Sequence, residues 1–164
     1  MYILIGLLIA IVVLNVLAIK MNQLTPNQTL HIWTFTIALQ LAFDTIIEFK
    51  YYGYWYFSKA VDWPGLLPHT ILIPPVNVLF LSLFPFKKPR KKQVYYVLIW
   101  TISILIYEAI SLLPEPLGYF HYGWWTLWHS AAIDPVLFCV LLGYYKWVLK
   151  LEKISVHGEV TRPK

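Results

Sequence analysis

Charge is what this sequence has least of. Asp, Glu, Lys and Arg make up 13% of its 164 residues, against roughly 25% in an ordinary soluble protein. A chain so short of charge is built for lipid rather than for water. Cysteine is almost absent too: Cys139 stands alone in an apolar run, so no internal disulfide can form. Several catalytic signatures are missing. There is no G-x-S-x-G, no Walker sequence, no G-x-G-x-x-G and no H-E-x-x-H, which removes the usual sequence routes to an α/β-hydrolase, a P-loop NTPase, a dinucleotide enzyme or a zincin. Nor is a cleavable signal peptide indicated. Met1-Tyr2 offers no basic n-region, the apolar run to Ile19 is long, and no Ala-x-Ala site follows. The net charge of +5 does not argue for nucleic acid, because the basic residues fall in loops and a tail rather than along one folded face.

Apolar and aromatic residues are abundant. They reach 59% and 18% of the chain, with 12 Tyr and 8 Trp. At about 1.5 Å of rise per residue, five stretches are long enough to cross a bilayer as helices: residues 2–19, 30–49, 66–84, 94–113 and 126–148. The expected fold is all-α, a polytopic membrane protein with five transmembrane helices in a domain over residues 1–150. A basic, frayed tail is expected over 151–164. Pro74-Pro75, in the middle of the third stretch, predict an irregular turn near Ile71–Pro75 that packs against other helices or lines a cavity. The aromatic runs 51–57 and 119–125 read as belts at the headgroup level.

The basic residues orient the bundle. Five of the six residues in Lys87-Lys88-Pro89-Arg90-Lys91-Lys92 are basic, and a short loop this basic stays on the cytoplasmic side. With it inside, Lys20, the five loop residues, Lys146, Lys150, Lys153, Arg162 and Lys164 are all cytoplasmic, and Lys50 and Lys59 alone of the 13 lie outside. The N-terminus is then out and the C-terminus in. Anionic lipid headgroups are the expected partner of the loop.

That orientation turns scattered polar residues into a pattern. Asp44, Glu48, His69, Glu108 and His129 fall in the outer halves of four different spans, with Asp134 nearer the middle. Gln40, Asp44 and Glu48 are spaced four apart and share a helical face. A charge at a helix centre costs about 2.5–3.5 kcal/mol on insertion scales. These side chains are therefore expected to turn inward, with at least three of them within hydrogen-bond or one-water reach of each other in a site that opens toward the outside, and Glu108 beside Tyr107 is the foremost candidate. A purely structural reading stands beside this: Glu48 and His69 at the wet interface, and Asp134 before Pro135 tying helices together. His69, His129 and two carboxylates could also surround a metal ion, although no compact ligand motif marks one.

Leu67-Pro68-His69-Thr70, Phe84-Pro85 before the basic loop, Tyr107-Glu108, and Gly123-Trp124 with Trp128 and Ser130 resemble a family of small, uncharacterised multi-pass membrane proteins of Bacillus- and Clostridium-like bacteria. The resemblance covers most of residues 30–150 and implies a bacterial cytoplasmic membrane and a shared core around His69 and Glu108. It carries no catalytic residue, no cofactor and no activity. Phe43-Asp44 followed by Gly53-Tyr54-Trp55-Tyr56 is fainter in its likeness to membrane-embedded lycopene cyclase domains, whose paired glutamates are missing here. The expected function is a membrane protein that binds a small ligand, a lipid headgroup or a partner helix at the polar cluster. Two alternatives remain: an embedded enzyme acting on a lipid or isoprenoid, and a proton-linked permease. The permease would be a homo-oligomer, since five short helices enclose little volume.

Overall fold

A computed structural model describes residues 2–61, 63–114 and 118–160. The helices are α1 (Tyr2–Met21), α2 (Pro26–Asp44), α3 (Trp63–Leu67), α4 (Ile73–Leu83), α5 (Arg90–Ser111) and α6 (Leu127–Val160). A π-helical turn over Thr45–Lys50 prolongs α2, and a second over Pro68–Leu72 joins α3 to α4. Five helical segments are long and apolar enough to cross a membrane: Leu4–Met21, Pro26–Lys50, Trp63–Leu83, Arg90–Ser111 and Leu127–Ile154.

Their ends differ from the expected ones for local reasons. The second helix begins at Pro26 rather than at the first apolar residue, Leu30. Thr25 caps it by accepting from the Gln28 amide, the Gln28 side chain returns to the Thr25 amide, and Pro26 takes the first helical position. Only the first half of the basic loop is a loop, because Arg90, Lys91 and Lys92 form the first turn of α5. The last helix runs on to Val160 instead of fraying near residue 151. Glu152 gives it an anchor, accepting from Asn27 Nδ2 at 2.8 Å and Gln28 Nε2 at 2.6 Å.

The third span is the centre of the bundle. It is 56% buried, against 11–22% for the other four. α1 and α2 pack on α4, and α6 packs on both α2 and α5. Phe80 of α4 stacks on Phe138 of α6 at 4.2 Å, with Ile32, Val78 and Leu81 in the same core. Asn77 Nδ2 donates to Thr36 Oγ1 at 2.9 Å across the α4–α2 seam. On α1 and α5 the residues Ile9, Val12, Ile99, Ile102 and Ile106 are exposed, as side chains that face hydrocarbon rather than protein would be.

The irregular turn comes just before the two prolines. Pro74 and Pro75 are buried in the first turn of α4 and have no N–H to donate to the turn behind them. That turn widens, and the Ile73 amide reaches back five residues to the Pro68 carbonyl. The Ile71 carbonyl, which a residue other than Pro75 would have satisfied, accepts instead from Asn15 Nδ2 of α1 at 3.1 Å.

The aromatic runs contain more than interfacial anchors. β1 (Tyr54–Tyr56) and β2 (Phe120–Tyr122) pair antiparallel, with Tyr54 opposite Tyr122, Trp55 opposite His121 and Tyr56 opposite Phe120. They cap one end of the helical bundle. Aromatic side chains favour strands, and Gly123 allows the close crossing. The Gly53 carbonyl accepts from both the Gly123 and Trp125 amides at 2.8 and 2.9 Å, and a Cβ on Gly123 would lie 2.1 Å from the Tyr52 carbonyl oxygen. Tyr52 and Phe57, on either side of β1, adopt left-handed backbone angles (φ of 51° and 52°), a costly conformation for aromatic residues.

Candidate functional site

Three of the expected site residues meet beneath the strand pair. Asp44 closes α2, Glu48 lies in the π-helical turn after it, and His69 lies in the second π-helical turn. Each is buried, with 0%, 4% and 1% of its surface exposed. Such turns insert a residue into a helix and re-aim its side chains, and they recur at functional sites. Here one π-helical turn carries Glu48 and the other carries His69.

His69 lies between the carboxylates. Its Nδ1 is 2.8 Å from Asp44 Oδ2, and its Nε2 is 3.6 Å from Glu48 Oε2. The first distance is that of a hydrogen bond, yet Nδ1 makes none with a described residue, so the separation is right and the direction is not. One nitrogen of His69 and one oxygen of each carboxylate all lie within 4.8 Å of one another. This is the set of side chains able to hold a metal ion among the described residues.

The cap completes the surroundings. Side chains alternate along a strand, so Tyr54 and Tyr56 turn towards the site while Trp55 stacks on His121 outside. The Tyr54 hydroxyl donates to Asp44 Oδ1, and Gln40 Nε2 donates to Asp44 Oδ2 at 2.9 Å. The Tyr56 amide donates to Glu48 Oε1 at 3.3 Å, and the Tyr56 ring meets His69 edge-on at 4.8 Å. Burial, and after it the negative charge of Asp44, pushes the phenols of Tyr54 and Tyr56 well above their ordinary range. Both therefore remain protonated at neutral pH, and Tyr54 remains a donor.

Glu108, expected to lead this cluster, belongs to a neighbouring one. Its Oε1 accepts from the Tyr122 hydroxyl and from Ser130 Oγ, the latter at 2.7 Å, and Ser130 Oγ accepts from Trp125 Nε1 at 2.8 Å. Asp134 is half-buried one turn beyond Ser130, and its Oδ2 has no hydrogen-bond partner among the described residues. An aromatic layer joins the two groups. Tyr119 stacks on Tyr56 at 6.2 Å, and its hydroxyl is 2.8 Å from that of Tyr107. His129 belongs to neither group. It is exposed, and its Nδ1 is engaged at the start of α6, 3.1 Å from the Thr126 amide and 2.8 Å from Thr126 Oγ1.

Tyr54, Tyr56 and Tyr122 are the site residues that reading the sequence missed. The available signal was the alternation in Tyr54-Trp55-Tyr56 and Phe120-His121-Tyr122, three residues long in each case. Comparison with protein-family models, curated proteins and solved structures finds no match to this chain.

Proposed function

We propose that this chain is a multi-pass protein of the bacterial cytoplasmic membrane, N-terminus outside and C-terminus inside, that binds a small cationic ligand at Asp44, Glu48 and His69. The observation that carries the proposal is the burial of two carboxylates around one imidazole beneath the strand pair. Gathering two carboxylates away from water is opposed by their mutual repulsion and by their desolvation, and a bound cation offsets both. The basic asymmetry supports an outward-facing cap, with the exposed segment Lys87–Lys92 against anionic headgroups of the inner leaflet.

Other occupants fit less well. A lipid headgroup or a partner helix needs an open face, and these three residues are at most 4% exposed. An enzyme acting on a lipid or isoprenoid needs a long cavity with an acid or base in its wall. A cavity of about 310 Å³ lies at the lip of the cap between Phe57, Leu113 and His121, and Asp44, Glu48 and His69 are not among the described residues that line it.

The proposal is tested by melting the purified chain in detergent with a panel of monovalent and divalent cations. At least one cation is expected to raise the Tm of the wild type and to leave Asp44→Asn unmoved. A panel that moves neither protein overturns the reading.

A further inference from the structure

Resting on that reading of the site, we infer that the cation is a divalent first-row transition metal, bound directly by Asp44, Glu48 and His69.

The contact between His69 and Asp44 points to this chemistry. A histidine that merely hydrogen-bonds a carboxylate aims its N–H at the oxygen. Two ligands of one ion behave differently, because both lone pairs aim at a third point. The two atoms then approach closely without a hydrogen bond between them. At metal–ligand distances of about 2.0–2.2 Å, neighbouring ligand atoms stand roughly 2.8–3.6 Å apart, from octahedral to tetrahedral geometry. Asp44 Oδ2 and His69 Nδ1 are 2.8 Å apart, and Nδ1 makes no hydrogen bond with a described residue. The imidazole is 1% exposed, so bulk water does not reach it.

The donor set selects the class of metal. One imidazole and two carboxylates suit Zn²⁺, Mn²⁺ or Fe²⁺, whereas Mg²⁺ and Ca²⁺ prefer oxygen ligands alone. Two negative charges match a dication and leave the histidine neutral, as a ligand must be. The outer contacts are of the kind that orient metal ligands. Asp44 is held at both oxygens, by Tyr54 at Oδ1 and by Gln40 at Oδ2, and the Tyr56 amide holds Glu48 Oε1. Neither the spacing of the ligands nor their separation by a strand forms a linear motif, so the site is invisible to a motif search.

The experiment uses the full chain purified in detergent, stripped with a chelator and dialysed against Zn²⁺, Mn²⁺, Co²⁺ or Mg²⁺. Metal content, Tm and the visible spectrum of the Co²⁺ form are then measured. We expect one Zn²⁺ or Mn²⁺ per chain, a raised Tm, and Co²⁺ bands of a mixed nitrogen–oxygen site. His69→Ala and Glu48→Gln should each weaken binding at least tenfold, with helical content unchanged by circular dichroism. If His69→Ala does not fold, X-ray absorption of the Zn²⁺-loaded wild type decides, since imidazole scattering must be present. A chain stabilised by Na⁺, K⁺ or Mg²⁺ equally with and without the His69 ring would overturn the metal assignment and leave the cation reading standing. A chain that no cation stabilises would overturn both.

Discussion

At the scale of single residues, Tyr54 decides how Asp44 is held. Its phenol stays protonated because burial and the adjacent carboxylate both oppose ionisation, so it donates to Asp44 throughout the physiological range. Tyr54→Phe removes that donor and keeps the ring that packs on Phe120 and Trp125. A hydrogen bond to a charged group contributes about 1.5–3 kcal/mol. The variant is expected to melt lower than the wild type in detergent by a margin that does not change between pH 6 and 9. A margin that shrinks as pH rises across that range would mean that the phenol ionises and that its assignment as a fixed donor is wrong. Asp44 itself was visible in the sequence as a carboxylate four residues from Glu48. Its donor was not, because ten residues and a change of secondary structure separate Tyr54 from Asp44.

At the scale of elements, the π-helical turns and the strand pair build the site together. The prolines at 74 and 75 made an irregular turn legible from the sequence, since they remove two backbone donors wherever they occur. The π-helical turn at Thr45–Lys50 has no such mark. Gly123 is a tight point of that cap. A methyl group there would collide with the Tyr52 carbonyl, and backbone cannot swing aside as a flexible side chain can. Gly123→Ala is expected to cost about 1–3 kcal/mol, in the range of overpacked sites, and to lower the melting temperature. Because the strand pair supplies Tyr54, Tyr56 and Tyr122, the same variant should also weaken cation binding. Unchanged melting and binding would show that the crossing is looser than its contacts imply.

At the scale of the whole molecule, orientation decides which compartment the cap faces. With Lys87–Lys92 inside, the strand pair and the Asp44–Glu48–His69 site are outside. A cysteine replacing Ser58 should react with a membrane-impermeant maleimide in intact cells, and one replacing Gln93 should react only after permeabilisation; native Cys139 is first changed to Ser to remove its background. The reverse pattern would place the site on the cytoplasmic face and would leave its geometry untouched.

Length, hydropathy and basic asymmetry are written along the chain, and each can be read without knowing what touches what. They determined the five apolar helices, the Asp44–Glu48 spacing on one face, and the disturbance ahead of Pro74. Which polar residues share a pocket is a different kind of question. Asp44, Glu48, His69, Glu108 and His129 all lie toward the same ends of their spans, so depth alone made them one cluster. Packing separated them. α2 and the segment before α4 bring Asp44, Glu48 and His69 together, while α5 and α6 draw Glu108 to Ser130, and the first turn of α6 keeps His129 for itself. Depth in a membrane is set by distance along a helix, which sequence position supplies. The azimuth of each helix about its axis, and the strand pairing that closes over the site, depend on contacts between segments distant in the chain, and only the tertiary structure decided those.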